Sequence, residues 1–417
     1  MSNVPLCACE GVIDTILSWA NPVRTAGLAF VCALLSACAG PRLAAEPPAF
    51  LFKDDAFAAP EESFAASDLF ALNEQMRRFL AHDIAVQLHS SGPTNGLIEA
   101  LYSKNQLKLS YDAARTRNAA EAFNARAGNC LSMVIMTAAF AKELGLPVEY
   151  NAAGYEEVWS RSGDFLLGSG HVNVSVGARD SDIGLRVVGR PLTVDFLPPE
   201  DIRGLPSREI PEQVIVAMYM NNKSVESLMR DELDEAYGWA REAIRRSPEF
   251  ASSYNTLGIV YLHRGDPAQA ARVFAYALEQ APDNTSVMAN LADVLSRLGD
   301  QAGAAALRSR LARIDPNPPY HFFNLGMAAM QENDFSTATK MFAKEVSRAD
   351  YNQEFHYWLG VAYFKLGEIE RAQRQLSLAM EKSTTRGDHD LYAAKLAWLQ
   401  TIAGGSGGLR PVITPAQ

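Results

Sequence analysis

The second half of this chain repeats itself every 34 residues, and that period restricts the fold more than any other feature. Pro248, Pro282 and Pro316 are spaced by 34, as are Ala236, Ala270, Ala304, Ala338 and Ala372. The pairs Leu257-Gly258, Leu291-Ala292, Leu325-Gly326 and Leu359-Gly360 keep the same spacing. Tyr261 and Tyr363 share one further position of the period, and Phe274 and Phe342 another. A period of this length encodes a supersecondary unit that cannot bury its apolar face alone, so the units must stack into a solenoid. Small residues let two antiparallel helices approach, aromatics fill the space between units, and proline ends the second helix.

The run Tyr254-x2-Leu257-Gly258-x2-Tyr261, followed by Ala270, Phe274, Ala277 and Pro282, resembles the tetratricopeptide repeat. An all-α solenoid of about five repeats is expected over residues 217–386, with units beginning near Ala217, Ala251, Thr285, Pro319 and Gln353. The first unit is degenerate, with Lys223 and Ser224 where Leu-Gly belongs, and the third has Arg308 at the aromatic position. Residues 387–403 read as a capping helix, and residues 404–417, opening Gly404-Gly405-Ser406-Gly407-Gly408, as a flexible tail. The resemblance implies a groove lined by the first helix of each unit, with Asn255, Ile259, Tyr320, Phe323, Met327, Tyr357 and Phe364 facing it. Such residues can bind a protein or peptide partner, or pack on a neighbouring domain or capping helix. His263, His321 and His356 lack metal-like spacing, so neither metal nor cofactor is expected.

The N-terminus carries a different signal. Residues 25–35 are apolar, follow Arg24, and are too short for the roughly 20 residues that span a bilayer. They end in Leu35-Ser36-Ala37-Cys38, the arrangement of a secretory apolar region with small residues before a cleavage point. Leu-Ser-Ala-Cys resembles the bacterial lipobox, which implies a signal peptide over residues 1–38 and lipidation of Cys38. Ala39 then points to the periplasmic face of the outer membrane. Against the pattern, residues 1–23 hold Glu10 and Asp14 and no Lys or Arg. Residues 39–66, with Pro47-Pro48, Pro60 and Glu61-Glu62, read as an Ala/Pro-rich tether. What remains is long enough for two domains. A net charge of −10 and the lack of any Lys/Arg-rich run argue against nucleic acid as a partner.

Of the five cysteines, at positions 7, 9, 32, 38 and 130, only Cys130 lies in what reads as folded protein, so it has no disulfide partner. In residues 67–211 the pattern is mixed. Asp68–Ile84 reads as a helix with Leu69, Leu72, Met76, Phe79 and Leu80 on one face. A second helix carries Leu131, Val134, Ile135, Ala138, Ala139, Ala141 and Leu144, stopped by Gly145 and Pro147. Asn129 is a natural N-cap, which puts Cys130 at the positive end of the helix dipole, where the anionic nucleophile is favoured. A buried, inert thiol is the commoner fate of free cysteine. Strands are expected at Val148–Ala152, Tyr155–Trp159, Gly170–Gly177 and around Leu192–Phe196. Alternation puts His171, Asn173 and Ser175 opposite Val172, Val174 and Val176, and Thr193 and Asp195 opposite Leu192, Val194 and Phe196. If the two strands are neighbours, His171 and Asp195 share a polar face.

A helix cysteine, a strand histidine and a strand aspartate, separated by 41 and 24 residues, resemble the transglutaminase-like branch of the papain-type thiol enzymes. The likeness rests on Gly128-Asn129-Cys130-Leu131-Ser132, Gly170-His171-Val172-Asn173-Val174 and Thr193-Val194-Asp195, with Leu107–Asp112 and Arg115 upstream. It covers about 67–205 and implies an α+β papain-like domain with Cys130 as nucleophile, His171 as its base and Asp195 as the orienting carboxylate. Thiol-dependent acyl transfer follows, as peptide or isopeptide hydrolysis rather than amine cross-linking. Val172 stands where the family often carries Trp or Tyr, so an oxyanion hole must come from backbone N–H groups, including that of Cys130. Asp195 before Phe196-Leu197-Pro198-Pro199 can equally cap a turn, while His82 and His89 sit on a helix and in a turn. The reading from a different class is a non-catalytic envelope lipoprotein in which both domains serve protein–protein interaction.

Overall fold

The structure is a computed structural model that describes residues 46–59, 66–102, 107, 109–112, 115–162, 165–177, 191–196, 207–383 and 386–404. The expected signal segment with Cys38 and residues 405–417 of the expected tail lie outside the described residues.

The stretch 68–84 is not one helix. Asn73 accepts the Met76 N–H and so restarts the chain as a new helix, Glu74–Arg78, after the short Ala66–Leu69. A wide turn over Phe79–Asp83 and the helix Ala85–Ser90 follow, yet Leu69, Leu72, Met76, Phe79 and Leu80 are all buried. Next come α1 (Pro93–Tyr102), α2 (Ala119–Ala125) and α3 (Cys130–Glu143). Every residue of α3 from Leu131 to Ala141 is buried, which makes it a central helix rather than a surface one.

Four strands form an antiparallel sheet: β1 (Val148–Ser162), β2 (Phe165–Val176), β3 (Leu192–Val194) and β4 (Ser207–Ile210), in the order β3-β2-β1-β4. The two strands expected within 148–159 are one, with a shift of register between Ala153 and Val158. Val172, Val174, Val176 and Val194 join α3 in one apolar core.

The repeats are five helix pairs: α4 (Glu212–Met229) with α5 (Leu233–Arg246), α6 (Ala251–His263) with α7 (Pro267–Gln280), α8 (Thr285–Arg297) with α9 (Gln301–Ile314), α10 (His321–Gln331) with α11 (Phe335–Arg348), and α12 (Gln353–Lys365) with α13 (Ile369–Glu381). A final helix, α14 (Arg386–Gly404), packs on α13. The glycine of the period is steric: a Cβ at Gly326 would lie 2.6 Å from the Phe342 ring, and one at Gly258 would collide with Phe274. In the third unit Arg308 replaces that aromatic and turns outward to Asp293 at 2.9 Å. Accordingly α9 buries only Ala304 and Leu311 and touches α10 at most slightly, whereas α5–α6, α7–α8 and α11–α12 pack closely. A cleft of about 750 Å³ opens at this junction, with Asp283, Tyr320, Arg348 and Phe355 in its wall.

Two expected boundaries differ from the structure. The array does not start at 217 after a gap: α4 begins at Glu212, directly after β4, and Ile215–Met220 lie in the same core as α3. This helix is apolar on more than one face and is shared by both halves of the chain. Nor is the described part of residues 39–66 a free tether. Leu51 is buried, Phe57 stacks on Tyr237 with ring centroids 4.0 Å apart, and the Tyr261 hydroxyl bonds the Leu51 carbonyl and the Lys53 N–H at 2.8 and 3.0 Å. Apolar Leu51, Phe52 and Phe57 within the Ala/Pro-rich stretch give it something to bury.

Because the core that includes the second unit is distinct from the core of α10–α12 and from that of α13 with α14, amide hydrogen exchange is expected to show α10–α13 with lower protection than α4–α8. Equal protection across the array would show the third junction to be continuous.

Candidate active site

Cys130 is the first residue of α3, and its thiol is free and half-buried. The chain reaches it through a turn at Arg126, whose φ is +51°, and a short parallel pair of Ser110–Tyr111 with Ala127–Gly128. Gly128 has to be glycine because a Cβ there would lie 2.6 Å from that of Ser132. Asn129 is the N-cap: its Oδ1 accepts the Ser132 N–H at 2.9 Å and the Ser132 hydroxyl at 2.8 Å. The Arg117 N–H donates to the same hydroxyl at 2.8 Å, while its guanidinium pairs with Asp112 at 2.8 Å.

His171 is on β2, buried, with Nε2 2.6 Å from Asp195 Oδ1 just beyond β3. The second carboxylate oxygen of Asp195 accepts Asn173 Nδ2–H at 3.0 Å. The polar row continues away from the histidine: Ser175 meets Thr193 at 2.8 Å, and Asn151 donates to Asn173 and Ser175 at 3.1 and 3.2 Å. Cys130 is close enough to His171 to act on the charge of the ring. Burial opposes a charged ring, but Asp195 and Cys130 prevail and hold His171 up to about 9, above its ordinary 6.5. The Asp195 carboxylate fixes the orientation and tautomer of the ring. Among the described residues no three His, Cys, Asp or Glu side chains gather as a metal ion requires.

The structure thus brings Cys130, His171 and Asp195 together and leaves His82 and His89 exposed elsewhere. It does not present Asn255, Tyr320, Phe323, Tyr357 and Phe364, five of the seven groove candidates, as an open surface. Asn255 is buried and accepts from Asn290 at 2.8 Å, where β2 packs against α6 and α8. Tyr320 and Phe323 are core, with ring centroids 5.0 and 5.3 Å from Phe355. Tyr357 lies 5.2 Å from Tyr392, and Phe364 5.4 Å from Trp398, both on α14. Repeat register identifies a facing side, but these positions are covered by parts of the same chain.

Three residues without an assigned role in the sequence reading support the site: Asn173, Ser132 and Thr116. Asn173 was visible as a neighbour of His171 on one strand face; Thr116, buried and 2.9 Å from the Asn129 amide, had no local signal.

Family models of the tetratricopeptide repeat match residues 261–322 and 323–379. The second half of the chain carries tetratricopeptide repeats. Solved structures similar to it include YrrB, described as a TPR protein with an unusual peptide-binding site, at 23% identity over 43% of this chain and 92% of that one, with a TM-score of 0.24. The Pseudomonas aeruginosa pilF protein is similar at 18% identity over 46% of this chain and 88% of its own, with a TM-score of 0.31. A thermophilic TPR protein from Thermus thermophilus gives 16%, 43%, 99% and 0.31 for the same quantities.

A histidine raised on folding stabilises the folded state fully below its unfolded value of 6.5 and loses that contribution as pH rises through about 9. Urea unfolding is expected to show stability falling between these two pH values, by at most about 3 kcal/mol. His171→Gln should flatten the profile over that window.

Proposed function

We propose that this chain is a thiol-dependent acyl-transfer enzyme of the bacterial cell envelope, built on an α+β domain of the transglutaminase-like, papain-type kind. The observation that carries the reading is the buried His171, hydrogen-bonded to Asp195 at 2.6 Å and close enough to Cys130, at the start of α3, to be influenced by it. Cys130 Sγ, as thiolate, attacks an amide carbonyl carbon and forms a tetrahedral oxyanion. The Cys130 N–H, in the first turn and so without an intrahelical partner, is a donor for it. His171 gives its proton to the amine nitrogen, the C–N bond breaks, and a thioester remains. Water then loses a proton to His171 and attacks the thioester carbon. The C–S bond breaks and the acid leaves, restoring the thiolate–imidazolium pair. An amine in place of water would give cross-linking; the resemblance to microbial members favours hydrolysis of a peptide or isopeptide bond.

Tetratricopeptide repeats serve protein–protein interaction, and here they would bring a protein partner to the thiol domain. Cys38, in Leu35-Ser36-Ala37-Cys38, would carry the lipid that holds the protein to the periplasmic face of the outer membrane.

The test needs no substrate. Iodoacetamide should alkylate Cys130 at pH 6 more than about tenfold faster than free cysteine, because an ordinary thiol is almost fully protonated there. Asp195→Asn should keep the fold and the hydrogen bond to Nε2 but remove the counter-charge of the imidazolium, slowing alkylation at pH 6. Its loss of turnover should be smaller than the roughly 10⁴ of serine triads, since a preformed ion pair depends less on its orienter. A Cys130 profile indistinguishable from free cysteine would defeat the proposal.

A further inference from the structure

We infer that Asn222 and Glu226, on the first helix of the repeat array, are positioning residues for Cys130. The inference rests on the reading of Cys130 as nucleophile. Both residues act through Thr116, which is buried on the segment that leads into α2. The Thr116 N–H donates to Glu226 Oε1 at 2.5 Å. Its hydroxyl oxygen accepts two amide hydrogens, one from Asn222 Nδ2 at 3.2 Å and one from Asn129 Nδ2 at 2.9 Å. Asn129 then spends its remaining polar atom, Oδ1, on the cap of α3 through Ser132. The next residue of the chain, Arg117, closes the loop by donating its N–H to the Ser132 hydroxyl. Two residues of α4 are thus joined to the cap that immediately precedes the thiol.

The geometry makes this a matter of alignment. Cys130 and His171 are carried by different supports. The ring is anchored by Asp195, which Asn173 holds from the same sheet, while the sulfur is anchored by the first turn of α3. The relative position of sulfur and ring depends on both supports, and the second runs through Asn222 and Glu226 of α4. If the Asn129 amide turns away from Thr116, its cap bond to Ser132 is strained and the Cα–Cβ direction of Cys130 shifts against a fixed imidazole. Glu226 is itself held close, with Lys223 Nζ at 3.8 Å and both side chains mostly buried. Because α4 packs on α5 and α6, a displacement within the first repeats reaches the thiol along a short path of hydrogen bonds. The array is in this respect part of the site.

The experiment measures iodoacetamide alkylation of Cys130 in the full chain at pH 6 and pH 9.5, reported as the ratio of the two rates, with thermal melts alongside. The ratio cancels changes in access and reads only how well the thiol is coupled to the histidine. Glu226→Ala, Asn222→Ala and Thr116→Val should each lower it about fivefold, the equivalent of losing one cap interaction. Glu226→Gln retains an acceptor for the Thr116 N–H and Thr116→Ser retains the hydroxyl, so both should keep the wild-type ratio. Should Glu226→Ala fail to fold, the Thr116→Val and Thr116→Ser pair decides. A lowered melting point with an unchanged ratio in Glu226→Ala and Thr116→Val would assign these residues a purely structural role and overturn the inference. A wild-type ratio equal to that of free cysteine would instead defeat the nucleophile reading, and the linkage with it.

Discussion

The contact on which the rest of the N-terminal half depends is the buried hydrogen bond between His171 and Asp195. Burying an imidazole beside a carboxylate removes both from water, and the loss is offset only if every remaining polar atom is satisfied. Asp195 uses both oxygens, one for His171 and one for Asn173. Asn173 is held in turn by Asn151, and Ser175 by Asn151 and Thr193. The pairing of β2 with β3, Val174 against Val194 and Ser175 against Thr193, is what sets this row in line. A slip of one residue would send His171 to the valine side and break every one of these bonds.

The second half of the chain is joined to this core by α4, not by a linker. The same helix contributes Ile215–Met220 to the core around α3 and packs along α5 as the first half of a repeat pair. Its Lys223-Ser224 in place of Leu-Gly has a physical reading in that light. Ser224 is buried and donates to the Ala236 carbonyl at 2.6 Å, while Lys223 faces Glu226, which holds the segment before α2. A unit that looks degenerate by repeat pattern is one whose side chains answer to two neighbours.

The repeats were legible because their constraint is periodic: Gly258 against Phe274 and Gly326 against Phe342 recur at a fixed offset, so the steric need is written in the sequence. The face shared by His171 and Asp195 was legible for a similar reason, since strand alternation fixes which residues point together. What covers a face was not. Tyr357 and Phe364 occupy facing positions in the register, but Tyr392 and Trp398 of α14 lie on them. Thr116 meets Asn222 and Glu226 across separations of 106 and 110 residues, which no local pattern encodes. The segment around Leu51 and Phe57 was hidden by its alanine and proline content, although burial there depends on a few large side chains.

The polar row beside the thiol also bears on which reading of this domain is the better one. A sheet that only had to pack could repeat on both faces what β2 has on one, where Val172, Val174 and Val176 are wholly buried without a polar atom to satisfy. Replacing a buried polar cluster with apolar residues of similar volume is often neutral or stabilising. Here His171, Asn173 and Ser175 are instead almost as buried as the valines, and their cost is met by a set of hydrogen bonds that converges on one imidazole next to one half-buried cysteine. The ring they hold, on β2, is raised to about 9 by Asp195 and Cys130 against the cost of burial. The asymmetry between the two faces of β2 is what the proposed thiol chemistry would use.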